Sequence, residues 1–106
     1  MYTVWKYEIE PDILNQVYKM PCGAVIISAG LDGFGKLCFW AQVNTEAPLE
    51  EHLVACIGTG WSLDLVLSDR NNKTDFVGTV VKGEYVWHIF DLGGVKGRLE
   101  KTNAGV

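Results

Sequence analysis

Metal and thiol chemistry are thinly provided for in this sequence. It has two histidines, His52 and His88, and three cysteines, Cys22, Cys38 and Cys56. There is no Cys-x-x-Cys pair, and the histidines complete no zinc-ligand spacing, so neither a metal nor any other cofactor is expected. Cys38 and Cys56 stand inside apolar runs, where a free thiol behaves as a small buried hydrophobe. That usage fits a reducing cytoplasm. Ser28, Ser62 and Ser68 sit in no G-x-S-x-G elbow, so no serine nucleophile is signalled. The opening "MYTVWKYEIEPD" has no basic stretch leading into an apolar one, which excludes a signal peptide. The longest apolar run, near Ala24 to Ile27, is too short to span a membrane. A soluble intracellular protein is expected.

Basic charge is also scarce. Nine Lys and Arg stand against thirteen Asp and Glu, for a net charge of −4. The distribution is uneven: residues 1–92 hold twelve acids and six bases (−6), while 93–106 hold Lys96, Arg98 and Lys101 against Glu100 (+2). An acidic body repels phosphate backbones, so direct nucleic-acid binding is not expected. The acids are scattered, apart from the Glu50–Glu51 pair, which is unlike the ordered array a DNA mimic requires.

What the chain does have is apolar material in short alternating runs. Its 106 residues are 48% hydrophobic, enough for one small core. In "TVWKYEI", Trp5, Tyr7 and Ile9 face one way and Lys6 and Glu8 the other, the period of a half-buried strand. Residues 16–20 read as a second strand. Gly23 to Leu31 and Leu37 to Asn44 flank "DGFG", a strong hairpin signal. "TEAPLEEH" reads as a polar connection with room for one helical turn after Pro48, followed by a strand from Leu53 to Ile57. "SLDLVL" fits a strand, a helical turn or an apolar loop. A second hairpin runs from Asp75 to Val81 and from Tyr85 to Asp91, turning at "KGE". The expected fold is all-β and mainly antiparallel: a small sandwich or partly closed barrel of six to seven strands, with at most short helical turns. The β domain covers 1–92, and 93–106 form a mobile basic tail.

Three places carry candidate chemistry. "IGTG" (Gly58, Thr59, Gly60) is followed by Trp61 and Ser62, with no third glycine and no lysine, so it is no dinucleotide or Walker loop. It reads instead as a strand-end bulge or tight turn, whose bared backbone N–H groups beside Trp61 would line a small ligand site. Trp40 and Gln42 share a strand face with Asn44, a pairing able to stack a ring and hydrogen-bond its edge; the plainer reading packs Trp40 in a second core layer. His88, in "YVWHIF", reads as a hydrogen-bonded strand histidine, because no nucleophile or orienting partner is evident for a general base. Without a catalytic set, enzymatic activity is not expected. Four tryptophans are more than so small a core needs, which points to interface use and, with hairpin edges to cover, to a homo-oligomer.

The segments Trp5-Lys6-Tyr7, Met20-Pro21 with Gly23-Ala24, Trp40 to Glu50, Gly58-Thr59-Gly60 and His88-Ile89-Phe90 carry a family likeness. Together they resemble an uncharacterised family of short proteins of tailed bacteriophages and prophages. The likeness runs to about Asp91 and leaves out the basic tail and part of the 61–74 loop. It implies a phage origin and action in the host bacterial cytoplasm. The function expected is non-enzymatic binding of a host protein, a defence component being one choice. The alternatives are an oligomer that sequesters a small nucleotide-like ligand and a virion or scaffold component.

Overall fold

The computed structural model describes residues 1–67 and 74–95. Seven strands form: β1 (Tyr2–Glu8), β2 (Asn15–Pro21), β3 (Val25–Leu31), β4 (Leu37–Asn44), β5 (Leu49–Gly58), β6 (Asp75–Lys82) and β7 (Tyr85–Gly94). They make two antiparallel sheets, ordered β1-β4-β3 and β2-β5-β7-β6. The sheets pack face to face as a sandwich and do not close into a barrel.

Alternation in β4 sets the core. Leu37, Phe39, Ala41 and Val43 point inward and are buried, while Trp40, Gln42 and Asn44 point outward. Val54 and Cys56 of β5, Val80 of β6, Trp87 and Ile89 of β7 and Met20 of β2 meet them from the other sheet. Each large side chain buried this way contributes about 1.5–3 kcal/mol. Tyr7 stacks on Phe39 (5.0 Å, 13°), and Tyr18 meets the same ring edge-on (4.9 Å, 89°). The Tyr18 hydroxyl donates to the Glu8 carbonyl oxygen at 2.7 Å, tying β2 to β1 across the sandwich. Gly78 of β6 lies against Ala29 of β3, where the two sheets meet.

A second apolar layer covers the outer face of the four-stranded sheet. Ala55, Ile57 and Leu92 pack there under Val66 of α1 (Asp64–Leu67), with Leu14, Leu63 and Phe90 around them. The ambiguous "SLDLVL" is therefore a helical turn. Ser62 Oγ accepts the Asp64 N–H at 3.1 Å at its start.

Three sequence expectations change. No helical turn follows Pro48, because β5 begins at Leu49; the residues there pair with β2 (Pro21 with Leu49, Met20 with Glu50), and the ladder claims their backbone groups. The second core layer lies on the four-stranded sheet, not under Trp40. The last strand runs on to Gly94, past a bulge where Val54 pairs with Asp91 and Leu53 with Gly93. Of the tail expected over 93–106, residues 96–106 lie outside the described residues, as do residues 68–73. Among the described residues no helix is long and apolar enough to cross a membrane.

Candidate functional site

On β5, Val54, Cys56 and Gly58 share the inward face, and Gly58 is the last of them. The chain then turns tightly, with the Trp61 N–H donating to the Gly58 carbonyl at 3.0 Å. Gly60 makes the turn possible at φ +90°, a conformation L-residues rarely adopt. Gly58 needs to be glycine for another reason: a Cβ there would lie 2.8 Å from Trp61 Cε2. The indole therefore folds back over Gly58.

Across the ladder from Gly58 stands Trp87. Trp61 meets it edge to face at 5.5 Å and 81°. Tyr85, two residues earlier on the same inward side of β7, is roughly parallel to Trp87 at 6.0 Å and 24°. Trp87 is buried, Tyr85 and Trp61 are exposed, and the three rings form a corner of aromatic faces. This corner walls a cleft of about 690 Å³, completed by Pro11 and Asp12 from the β1–β2 connection, Lys82 at the end of β6, and Gly83 and Glu84 from the β6–β7 turn. That volume is within the ~300–1,000 Å³ usual for ligand sites.

On the other side of Trp61 a smaller hollow of about 290 Å³ is lined by Ile57, Gly58, Gly60, Leu63, His88 and Phe90. His88 Nε2 is 2.7 Å from the Thr59 hydroxyl, and Nδ1 is 3.0 Å from that of Thr79. Both ring nitrogens are engaged, so the imidazole works as a tie from the 58–61 turn to β6.

Of the sequence candidates, Gly58, Thr59, Gly60, Trp61 and His88 converge. Trp40 and Gln42 stand apart, on the outer face of the three-stranded sheet. There the Trp40 ring lies over Gly30, whose missing Cβ would be 3.5 Å from it, and Gln42 is exposed between Val4 and Val25.

Sequence reasoning passed over Tyr85, Trp87, Asp12 and Glu84. Alternation in Tyr85-x-Trp87-x-Ile89 already put the two rings on one face; what the sequence lacked was the fold-back of Trp61 onto them. It also missed a buried pair inside the sandwich, in which His52 Nε2 donates to Asp91 Oδ1 at 2.6 Å. The same oxygen accepts the Gly93 N–H at 2.9 Å. Both residues occupy inward strand positions, yet nothing in the sequence pairs residues so far apart.

Two of the three thiols, Cys38 and Cys56, are buried and poorly suited to nucleophilic work, while Cys22 is exposed. Burial pushes Cys56 up to about 11, and burial with the nearby Asp32 charge raises Cys38. Among the described residues no three His, Cys, Asp or Glu side chains gather as a metal site.

No curated protein matches the chain, and no solved structure does. The model of a family described as a domain of unknown function, DUF7352, matches residues 1–97 and so takes in all seven strands and every residue of the cleft; the chain belongs to that family.

Proposed function

We propose that the chain is a non-enzymatic binding protein that holds a segment of a partner protein in the cleft of Trp61, Tyr85 and Trp87. One observation carries this reading: Trp61 and Tyr85, each in contact with the buried Trp87 ring, are themselves left exposed on the cleft. Aromatic side chains in such positions dominate binding hot spots. The resemblance to short phage proteins supports a protein of the bacterial host as the partner, met in the host cytoplasm, with a defence component as first choice. A nucleotide-like ligand ranks below it. Trp61 and Tyr85 offer stacking faces for a base, but Asp12 and Glu84 on the cleft wall work against a phosphate.

The test is capture from host lysate by the wild-type chain and by Tyr85→Ala. Tyr85 is two-thirds exposed, so its removal leaves the core intact. A partner held by the wild type and lost with Tyr85→Ala supports the reading. The same partners on both chains would dismiss the cleft as the site.

A specific observation also favours self-association. The outer face of the three-stranded sheet exposes Tyr2, Val4, Val25 and Ile27 beside the half-buried Trp40. A second copy of the chain is the occupant proposed for that face.

A further inference from the structure

We infer that the aromatic cleft takes a cationic side chain, arginine first and lysine second, carried on the partner's segment. This rests on the cleft being the binding site, and it names the chemistry of what enters.

Trp61 and Trp87 stand nearly perpendicular, and Tyr85 lies roughly parallel to Trp87. A group entering the corner therefore meets the two exposed rings, Trp61 and Tyr85, set at a steep angle to each other with buried Trp87 behind them. Aromatic faces are negative at their centres and attract ammonium and guanidinium groups, tryptophan most strongly. A planar guanidinium can also stack on an indole while its N–H fork stays free for carboxylates. Asp12 and Glu84 line the same cleft from opposite connections, one from between β1 and β2 and the other from the β6–β7 turn. The charge of the whole body has the same sign, −6 over residues 1–92, and steers cations inward.

One residue opposes this reading in detail and makes it testable. Lys82 lines the cleft, and it also borders an adjoining hollow with Glu8, Glu10 and Lys36. Its ammonium repels an incoming cation and would help an anion. Removing that charge must strengthen cation binding if the inference is right.

The experiment follows tryptophan emission and calorimetric heat during titration with four probes. These are a blocked glycine–serine peptide with one central arginine, the same peptide with neutral citrulline, free arginine amide, and inorganic phosphate. The expected result is saturable binding of the arginine peptide, weakening as salt rises, with the citrulline peptide about tenfold weaker or silent. Asp12→Asn with Glu84→Gln lowers affinity for the arginine peptide about fivefold and leaves the citrulline peptide unchanged. Lys82→Gln raises affinity for the arginine peptide. Tyr85→Ala abolishes binding, while Tyr85→Phe, which keeps the ring, retains it.

Equal affinity for the arginine and citrulline peptides would overturn the cationic inference and leave the cleft standing as a binding site. Arginine amide as tight as the peptide would overturn the assignment to a protein segment. Phosphate binding that Lys82→Gln weakens would overturn the sign of the ligand. No response to any basic probe defeats the inference too. If Tyr85→Ala also spares every lysate partner, the proposed function falls with it.

Discussion

Two glycines separated by Thr59 do different physical work in the 58–61 turn, and substitution tells them apart. Gly60 sits at φ +90° with open space where a Cβ would point, so Gly60→Ala meets backbone strain alone, about 1–2 kcal/mol. Gly58 has ordinary backbone angles, but its added methyl would fall 2.8 Å from Cε2 and 3.0 Å from Nε1 of the Trp61 indole. Gly58→Ala therefore forces the ring off Trp87, at a cost of about 1–3 kcal/mol. Urea unfolding should show both variants destabilised. Tryptophan emission and partner capture should change only for Gly58→Ala, because only there is a cleft wall displaced. Unchanged emission in Gly58→Ala would mean that the indole has room to yield, and that Gly58 does not fix its position.

At the scale of elements, the β3–β4 turn is organised by one carboxylate. Asp32 Oδ1 accepts the N–H groups of Phe34 and Lys36 at 2.8 and 2.9 Å, and Oδ2 accepts Lys6 Nζ at 2.9 Å, joining the hairpin to β1. The backbone donor of Lys36 first, then Lys6, hold the Asp32 carboxyl well below the usual carboxylate range. The same hydrogen bond raises Lys6 above the ordinary lysine value. For an acid depressed on folding, the stabilisation is present above the unfolded-state value of about 4 and lost as pH falls through the lower folded value. Asp32→Asn should thus lower the thermal midpoint at neutral pH, and its gap to the wild type should narrow below pH about 4. A gap that stays constant into acid would place the effect in the shape of the turn, not its charge. The turn itself was legible in the sequence, since "DGFG" between alternating runs states its own geometry. So were the hairpins, the buried thiols and the inward face of β4. All of these are local patterns of period two. The sheet order and the start of β5 were not legible, because Leu49 joins a strand only through β2, far back in the chain. The site divides the same way. Gly58, Gly60 and Trp61 announced themselves as a turn, whereas Tyr85 and Asp12 became site residues through contacts between elements that no local window contains.

For the molecule as a whole, the unresolved demand is the outer face of the three-stranded sheet. The four-stranded sheet is covered there by α1 and its apolar neighbours, but nothing among the described residues covers the other. Val4 and Val25 flank Gln42 in one row across β1, β4 and β3, and Lys6, Trp40 and Ser28 form the next. Tyr2 extends the patch at one end, and the β3 bulge exposes Ile27 beside it. Exposed Tyr2, Val4, Val25 and Ile27 surround the polar Gln42 there, and apolar side chains gathered on one face, rimmed by polar ones, mark interaction sites. A two-fold pair would bury this patch against itself, with β1 as the adjoining free edge of the sheet. In such a pair the patch meets its own copy, so one new charge per chain becomes two like charges buried together. Sedimentation equilibrium should therefore find the wild type as a dimer at tens of micromolar and Val4→Lys with Val25→Lys as a monomer with an unchanged far-ultraviolet spectrum. The Lys82 and Tyr85 variants should stay dimeric, because their side chains line a cleft at another part of the sandwich. A wild-type monomer at high micromolar concentration ends the self-association reading. A dimer that survives the two lysines but is broken by Tyr85→Ala would move the interface to the aromatic cleft and make the second copy its occupant.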